Sequence, residues 1–105
     1  MTSKKAAVRM SFRDAVFKRD QNKCRVCGKK SQLDAHHITD RHEMSNGGYV
    51  AENGIALCPD CHKSAETFHA TGTAHPGFSP EDLYWLIGSS KEHAEVASCK
   101  LAKIK

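Results

Sequence analysis

Four of the five cysteines stand in two pairs of identical spacing, Cys24-Arg-Val-Cys27 and Cys58-Pro-Asp-Cys61. No other feature limits the fold as strongly. Each Cys-x-x-Cys wraps a tight turn that aims two thiolates at one point. Two such turns complete a tetrahedral S₄ shell, the geometry of closed structural Zn²⁺ sites. Gly28 follows the first pair, where a knuckle often needs positive φ. Disulfides and redox chemistry are the competing readings. A redox site needs one such pair, and without a secretory signal stable disulfides are disfavoured. Cys58-Pro-Asp-Cys61-His62 also matches the attachment pattern of c-type haem. Haem would leave Cys24 and Cys27 unexplained, so structural Zn²⁺ is the expectation. Cys99 falls in a helical pattern and reads as a small buried hydrophobe.

A chain of 105 residues is one small domain with a thin core. A structural zinc compensates, because it supplies ~10 kcal/mol or more of apparent binding free energy on which folding draws. With 39% apolar and 27% charged residues the composition is that of a soluble globular protein. No apolar run approaches the ~20 residues of a membrane span. The N-terminus lacks the apolar stretch of a secretory signal, and a cytoplasmic location is expected. The net charge of +4 is unevenly spread. Residues 1–31 and 91–105 are basic, and residues 32–90 are acidic. Basic flanks suggest a polyanionic partner such as nucleic acid.

The expected organisation is a basic arm over 1–10, a central unit over 11–70, and a connector with C-terminal helices over 71–105. Ser11 and Asp14 mark a helix start, with Phe12, Ala15, Val16 and Arg19 at helical spacing up to about Asp20. Residues 33–38 read as a short strand and 39–53 as a long loop with turn chemistry at Ser45-Asn46-Gly47-Gly48. Residues 54–57 read as a second strand, and a helix follows from Pro59 to about Ala70. Ser79-Pro80-Glu81-Asp82 starts another helix, whose apolar face is Leu83, Leu86 and Ile87 and which stops at Gly88. Ser89 and Glu92 read as the capping box of a last helix, with Ala94, Ala97, Leu101 and Ile104 as its stripe. Phe68, Tyr84 and Trp85 read as packing residues, and His69, His75 and His93 as surface histidines.

Between the two knuckles run Asp34-Ala35-His36-His37-Ile38 and then Glu52-Asn53-Gly54-Ile55-Ala56-Leu57-Cys58-Pro-Asp-Cys61-His62-Lys63. This His-Asn-His series, threaded between zinc knuckles, resembles the HNH endonuclease family. The resemblance covers residues 24–67. It implies an α+β chain with a small ββα-metal core and a structural zinc, flanked by an N-terminal helix and C-terminal helices. His37 matches the family's general base, an imidazole with a near-neutral pKa. His36 matches a ligand of the catalytic divalent ion, a position often held by Asp. His62 matches the ligand on the helix, and Asn53 the residue whose amide pins the loop and so orients the base. Cys24, Cys27, Cys58 and Cys61 match the structural zinc ligands.

The resemblance further implies hydrolysis of a DNA phosphodiester to 5′-phosphate and 3′-hydroxyl products, with mainly backbone contacts to double-stranded DNA. One active site nicks one strand, so a double-strand cut needs a homodimer or two encounters. A third reading, beside the resemblance, is a degenerate nuclease that works only inside a larger complex, such as one for phage packaging or restriction. An imidazole at position 36 softens the site, so Mn²⁺, Ni²⁺ or Co²⁺ is expected to serve at least as well as Mg²⁺. Neighbouring strand residues face opposite ways, so His36 and His37 share a site only where the strand bends or twists. Arg41, Lys63, Lys18 and Arg19 are candidate DNA contacts, and Asp40 or His42 a candidate extra ligand. The rival reading is a zinc-ribbon-like nucleic-acid-binding module without catalysis. It accounts for the cysteines and the basic flanks, and leaves His36, His37, Asn53 and His62 without a role.

Overall fold

The computed structural model describes residues 4–101, residues 4 and 5 by their backbone alone. Helix α1 spans Lys4–Arg19, strands β1 and β2 span Asp34–His37 and Gly54–Leu57, and helices α2, α3 and α4 span Pro59–Thr71, Pro80–Leu86 and Lys91–Cys99. The expected α+β class and the order strand, loop, strand, helix both hold. The 38–53 loop contains three short 3₁₀ turns, at Arg41–Glu43, Ser45–Gly48 and Ala51–Asn53. Residues 1–3 of the expected arm and Ile104 of the expected stripe lie outside the described residues.

The helix α1 begins at Lys4 rather than at Ser11, so most of the expected arm is helical. Lys, Ala, Arg and Met are good helix formers and nothing before Ser11 interrupts them. Its buried residues, Phe12 and Val16, lie four apart on one face and pack with Ala56 of β2. Gly54 makes that contact possible. A Cβ there would come within 2.6 Å of the Phe12 ring and still closer to Val16.

The two strands pair antiparallel, with Ala35 opposite Ala56, His36 opposite Ile55 and His37 opposite Gly54. Directly opposed residues share a face of the sheet. Ala35 and His37 therefore face α1, while Asp34 and His36 face away from it with Ile55 and Leu57. On that second side lies the larger core, in which Ile38, Met44, Ile55, Leu57, Ala65, Leu83 and Ala94 surround the buried cysteines.

Two buried polar ties fix the frame. Asp20 is 3% exposed. It accepts from the Ala56 N–H at 2.9 Å and from Arg19 Nε and Nη2, each at 2.8 Å. The Arg19 guanidinium also donates to the carbonyls of Ala51 and Gly54 at 2.6 Å each. At the other end, Ser98 of α4 accepts from the Gly48 N–H at 3.0 Å and donates to the Ser45 carbonyl. Asn46 reaches the carbonyls of Ser98 and Leu101 at 3.1 Å each. The loop between the strands is thus held from both termini of the chain.

Three local expectations shift. The helix α3 starts as read, with a complete Ser79–Asp82 capping box. The cap of α4 is Ser90, not Ser89, because Ser89 Oγ donates to the Glu52 carbonyl at 2.8 Å. Cys99 is exposed and Ser98 takes the buried position. Trp85 is 79% exposed instead of packed, and its neighbour Tyr84 is buried.

Candidate functional site

Both knuckles converge. The Sγ atoms of Cys24, Cys27, Cys58 and Cys61 all lie within 4.8 Å of one another, with Cys27 and Cys58 at 3.5 Å. Four thiolates about 2.3 Å from a tetrahedral zinc stand roughly 3.8 Å apart, so the donor set fits the ion. Gly28 takes φ +83°, and its N–H donates to the Cys24 carbonyl at 2.9 Å. Four thiols this close do not ionise alike. Burial works against the Cys24 thiolate, but backbone N–H groups of Cys27, Cys58 and Val26 bring its pKa down to about 6. Burial, then the neighbouring sulfurs, push Cys61 up. A bound dication resolves that conflict by favouring every thiolate at once.

The second cluster lies on the other flank of α2. Its first turn aims Cys61 and, one turn later, Ala65 into the core. The adjacent stripe, His62, Glu66 and His69 at i, i+4 and i+7, faces β1. His36 Nδ1 lies 3.2 Å from Glu66 Oε1, and His62 Nε2 lies 3.1 Å from the same oxygen. His62 Nδ1 is 3.4 Å from Asp34 Oδ2. Ligand atoms of His36, His62 and Glu66 all come within 4.8 Å of one another. His36 is 2% exposed, and its Nδ1 has no hydrogen-bond partner among the described residues. A buried imidazole nitrogen left bare beside a carboxylate and a second imidazole suits a divalent cation. Burial first, then His62, His69 and His37, lower the His36 pKa to about 3. The ring is therefore neutral and can act as a ligand.

His37 stands on the opposite face of the same strand. Its ring stacks on Phe12 at 4.5 Å and meets Tyr49 edge-on at 4.7 Å. Burial first, then Arg41, lower its pKa to about 4, below the near-neutral value expected from the sequence, so it too is neutral at pH 7. Its Nε2 is buried and unpartnered, which leaves Nδ1 as the ring nitrogen that can open to solvent. Both faces nevertheless meet one cleft of about 350 Å³, which His36, His37, Arg41, Tyr49, His62 and Glu66 help to line.

Asn53, fully buried, stitches the loop to the strand exit. Its Oδ1 accepts from the Thr39 N–H at 2.9 Å and from Tyr84 OH at 2.7 Å. Its Nδ2 donates to the Thr39 carbonyl at 3.0 Å and to the Gly48 carbonyl at 3.2 Å. The Ile38 N–H also donates to the Asn53 carbonyl at 2.8 Å. The backbone just past His37 is therefore clamped by one amide.

Residues 24–68 match the family model of the HNH endonucleases. Over this segment the chain is similar to an HNH domain. The match begins at the first cysteine of the sulfur cluster and ends on α2, beyond Glu66. No curated protein and no solved structure matches the chain. The four cysteines fit the zinc-knuckle form of the HNH domain, and the two strands followed by α2 are its ββα unit.

Around the HNH core the other sequence candidates separate. Arg41 lines the cleft, with Nη1 3.5 Å from the Tyr49 hydroxyl. Asp40 lines it as well, and His42 does not. Lys18 and Lys63 are exposed and line no part of this cleft. Arg19 is tied into the frame by the four hydrogen bonds given above. It holds α1 to β2, and this engagement withdraws it from the set of free cations.

His69 is not the plain surface residue expected. Its Nε2 donates to the His37 carbonyl at 3.0 Å, and its ring lies 5.2 Å from that of His36. Sequence reasoning also missed Glu66, Asp34, Tyr49 and Tyr84. For Glu66 and His69 a signal existed, since both repeat on the helix face marked by His62. For Tyr84 none did, because its partner Asn53 is distant in sequence.

Proposed function

We propose that this chain is a metal-dependent DNA endonuclease that nicks one strand of duplex DNA per active site. The observation that carries the reading is that one strand sends His36 to a ligand cluster and His37 to a separate wall of the same cleft. A proton acceptor beside, but not in, a cation site is what phosphodiester hydrolysis requires.

His36, His62 and Glu66 would hold the divalent ion, with Asp34 beside His62. When bound, the ion supplies Lewis-acid chemistry, neutralising the scissile phosphate and stabilising the departing 3′ oxygen. His37, neutral at pH 7, takes a proton from the attacking water at Nδ1. Phe12 and Tyr49 fix the plane of its ring, and Asn53 and His69 fix its backbone. Arg41 is placed to steady a phosphate in the cleft. Next to the cleft, Arg9 and Arg13 of α1 line a smaller groove of about 250 Å³ that shares His37 and Tyr49 with it. This gives the DNA backbone a basic approach, to which exposed Lys18 and Lys63 add. Such binding weakens steeply with salt and carries little sequence preference. The expected products are a 5′-phosphate and a 3′-hydroxyl.

The test is relaxation of supercoiled plasmid by purified protein with Mn²⁺, Ni²⁺, Co²⁺ or Mg²⁺, with EDTA, and with His37→Ala. Nicking by wild type in at least one of Mn²⁺, Ni²⁺ or Co²⁺, and its loss in the other two arms, is the expected result. If no divalent ion supports relaxation, the zinc-ribbon-like binding module is the correct reading instead.

A further inference from the structure

A cavity larger than the catalytic cleft adjoins it through His69, which lines both. It is a groove of about 700 Å³ between the 3₁₀ turn at Arg41–Glu43, the end of α2 and the helices α3 and α4. Its apolar lining includes Ile38, Phe68, Pro80 and Trp85. Trp85 is 79% exposed, although an indole is the side chain that loses most by facing water. Glu43, Glu81 and Glu92 line the same groove, against Lys91 as the one Lys or Arg there among the described residues. None of the three glutamates has an ion-pair partner among the described residues. The groove therefore combines an open aromatic face with uncompensated negative charge. Phosphate backbones are repelled there, so it is not an extension of the DNA path.

We propose that this groove docks a cationic, partly apolar segment of a protein partner. Charge complementarity selects Lys and Arg. Their aliphatic stems cover the indole face while their charged heads meet the ring quadrupole and the glutamates. Trp is also the residue type most often found as a binding hot spot. The groove shares His69 with the catalytic cleft, and Thr39 and Tyr84, the partners of Asn53, line it too.

Trp85 is the only tryptophan in the chain, so its fluorescence reports on this groove alone. The full chain, loaded with zinc, is titrated with a short synthetic peptide of Arg, Lys and Leu. The expected result is a saturable blue shift of Trp emission that weakens with added salt. The double variant Glu81→Gln, Glu92→Gln is expected to bind about tenfold more weakly, as for loss of exposed charge pairs. Emission that the peptide does not move overturns the proposal. So does an equal shift with the matched Glu/Leu peptide, which points to indiscriminate apolar contact. A shift produced by duplex DNA assigns the groove to nucleic acid, and a shift on concentrating the protein alone assigns it to a second copy. Both of these overturn it as well. The readout is independent of nicking.

Discussion

The sulfur cluster and the imidazole–carboxylate cluster sit on two flanks of the same helix, and they are built for opposite demands. All four sulfur ligands come from knuckles flanking the sheet, three of them are buried, and among the described residues the group consists of cysteines alone. The other cluster mixes a buried His36 with a half-exposed Glu66 and a partly exposed His62, and it borders an open cleft. A closed S₄ shell holds its ion as part of the fold, and a site with an open side can exchange ion and substrate. The difference teaches that helix phase alone sends neighbours of α2 to different clusters: Cys61 points inward to the sulfurs, and His62 points to the cleft.

The largest expected effect tests whether the sulfur site is truly structural. Cys58→Ser, or zinc removal by a strong chelator, is expected to unfold the chain. About 10 kcal/mol or more of metal-linked stability rivals the whole stability of a small domain. Loss of far-UV circular dichroism reads this out, and a chain that stays folded would erase the contrast. Next is His37→Ala, where nicking should fall by about 10²–10⁴-fold with the fold intact. Plasmid relaxation alongside a thermal melt separates the two effects.

Asn53→Ala addresses the link between the clusters. It leaves the Thr39 and Gly48 groups without their amide partner, which costs about 3 kcal/mol and is visible in urea unfolding. The smallest change is Glu66→Gln, which keeps shape and removes charge. Nicking should need about tenfold more Mn²⁺, while the zinc content measured by elemental analysis stays the same. An unaltered Mn²⁺ dependence would take Glu66 out of the cation site.

Legibility in the sequence followed distance along the chain. The knuckles, the two short strands, α2 and the start of α3 are written in local spacing and capping chemistry, and they formed where expected. The His36, His37, Asn53 and His62 set stood out in the sequence because identity, order and spacing agree, and the fold brings His36, His37 and His62 to one cleft. Glu66 and His69 were within reach as i+4 and i+7 of His62, but an acid on an exposed helix face is usually just solvated. Errors of phase, Ser90 for Ser89 and Ser98 for Cys99, arose because adjacent residues are equally suited until a tertiary partner chooses. The Glu52 carbonyl made the first choice and the Ser45–Gly48 turn the second. Tyr84 was illegible for the same reason in a stronger form, since a phenol bonded to Asn53 looks like any aromatic on a helix. Trp85 shows the converse, an apolar residue that the fold leaves uncovered.

The clamp that Arg19 and Asp20 place on the second strand has a practical corollary. Neither residue belongs to the 24–68 segment, and nor do Tyr84 or Ser98, which brace it from the far side. Transplanting that segment alone into another scaffold would sever every one of these braces. The smallest portable cassette for protein engineering therefore runs from the first helix to the last.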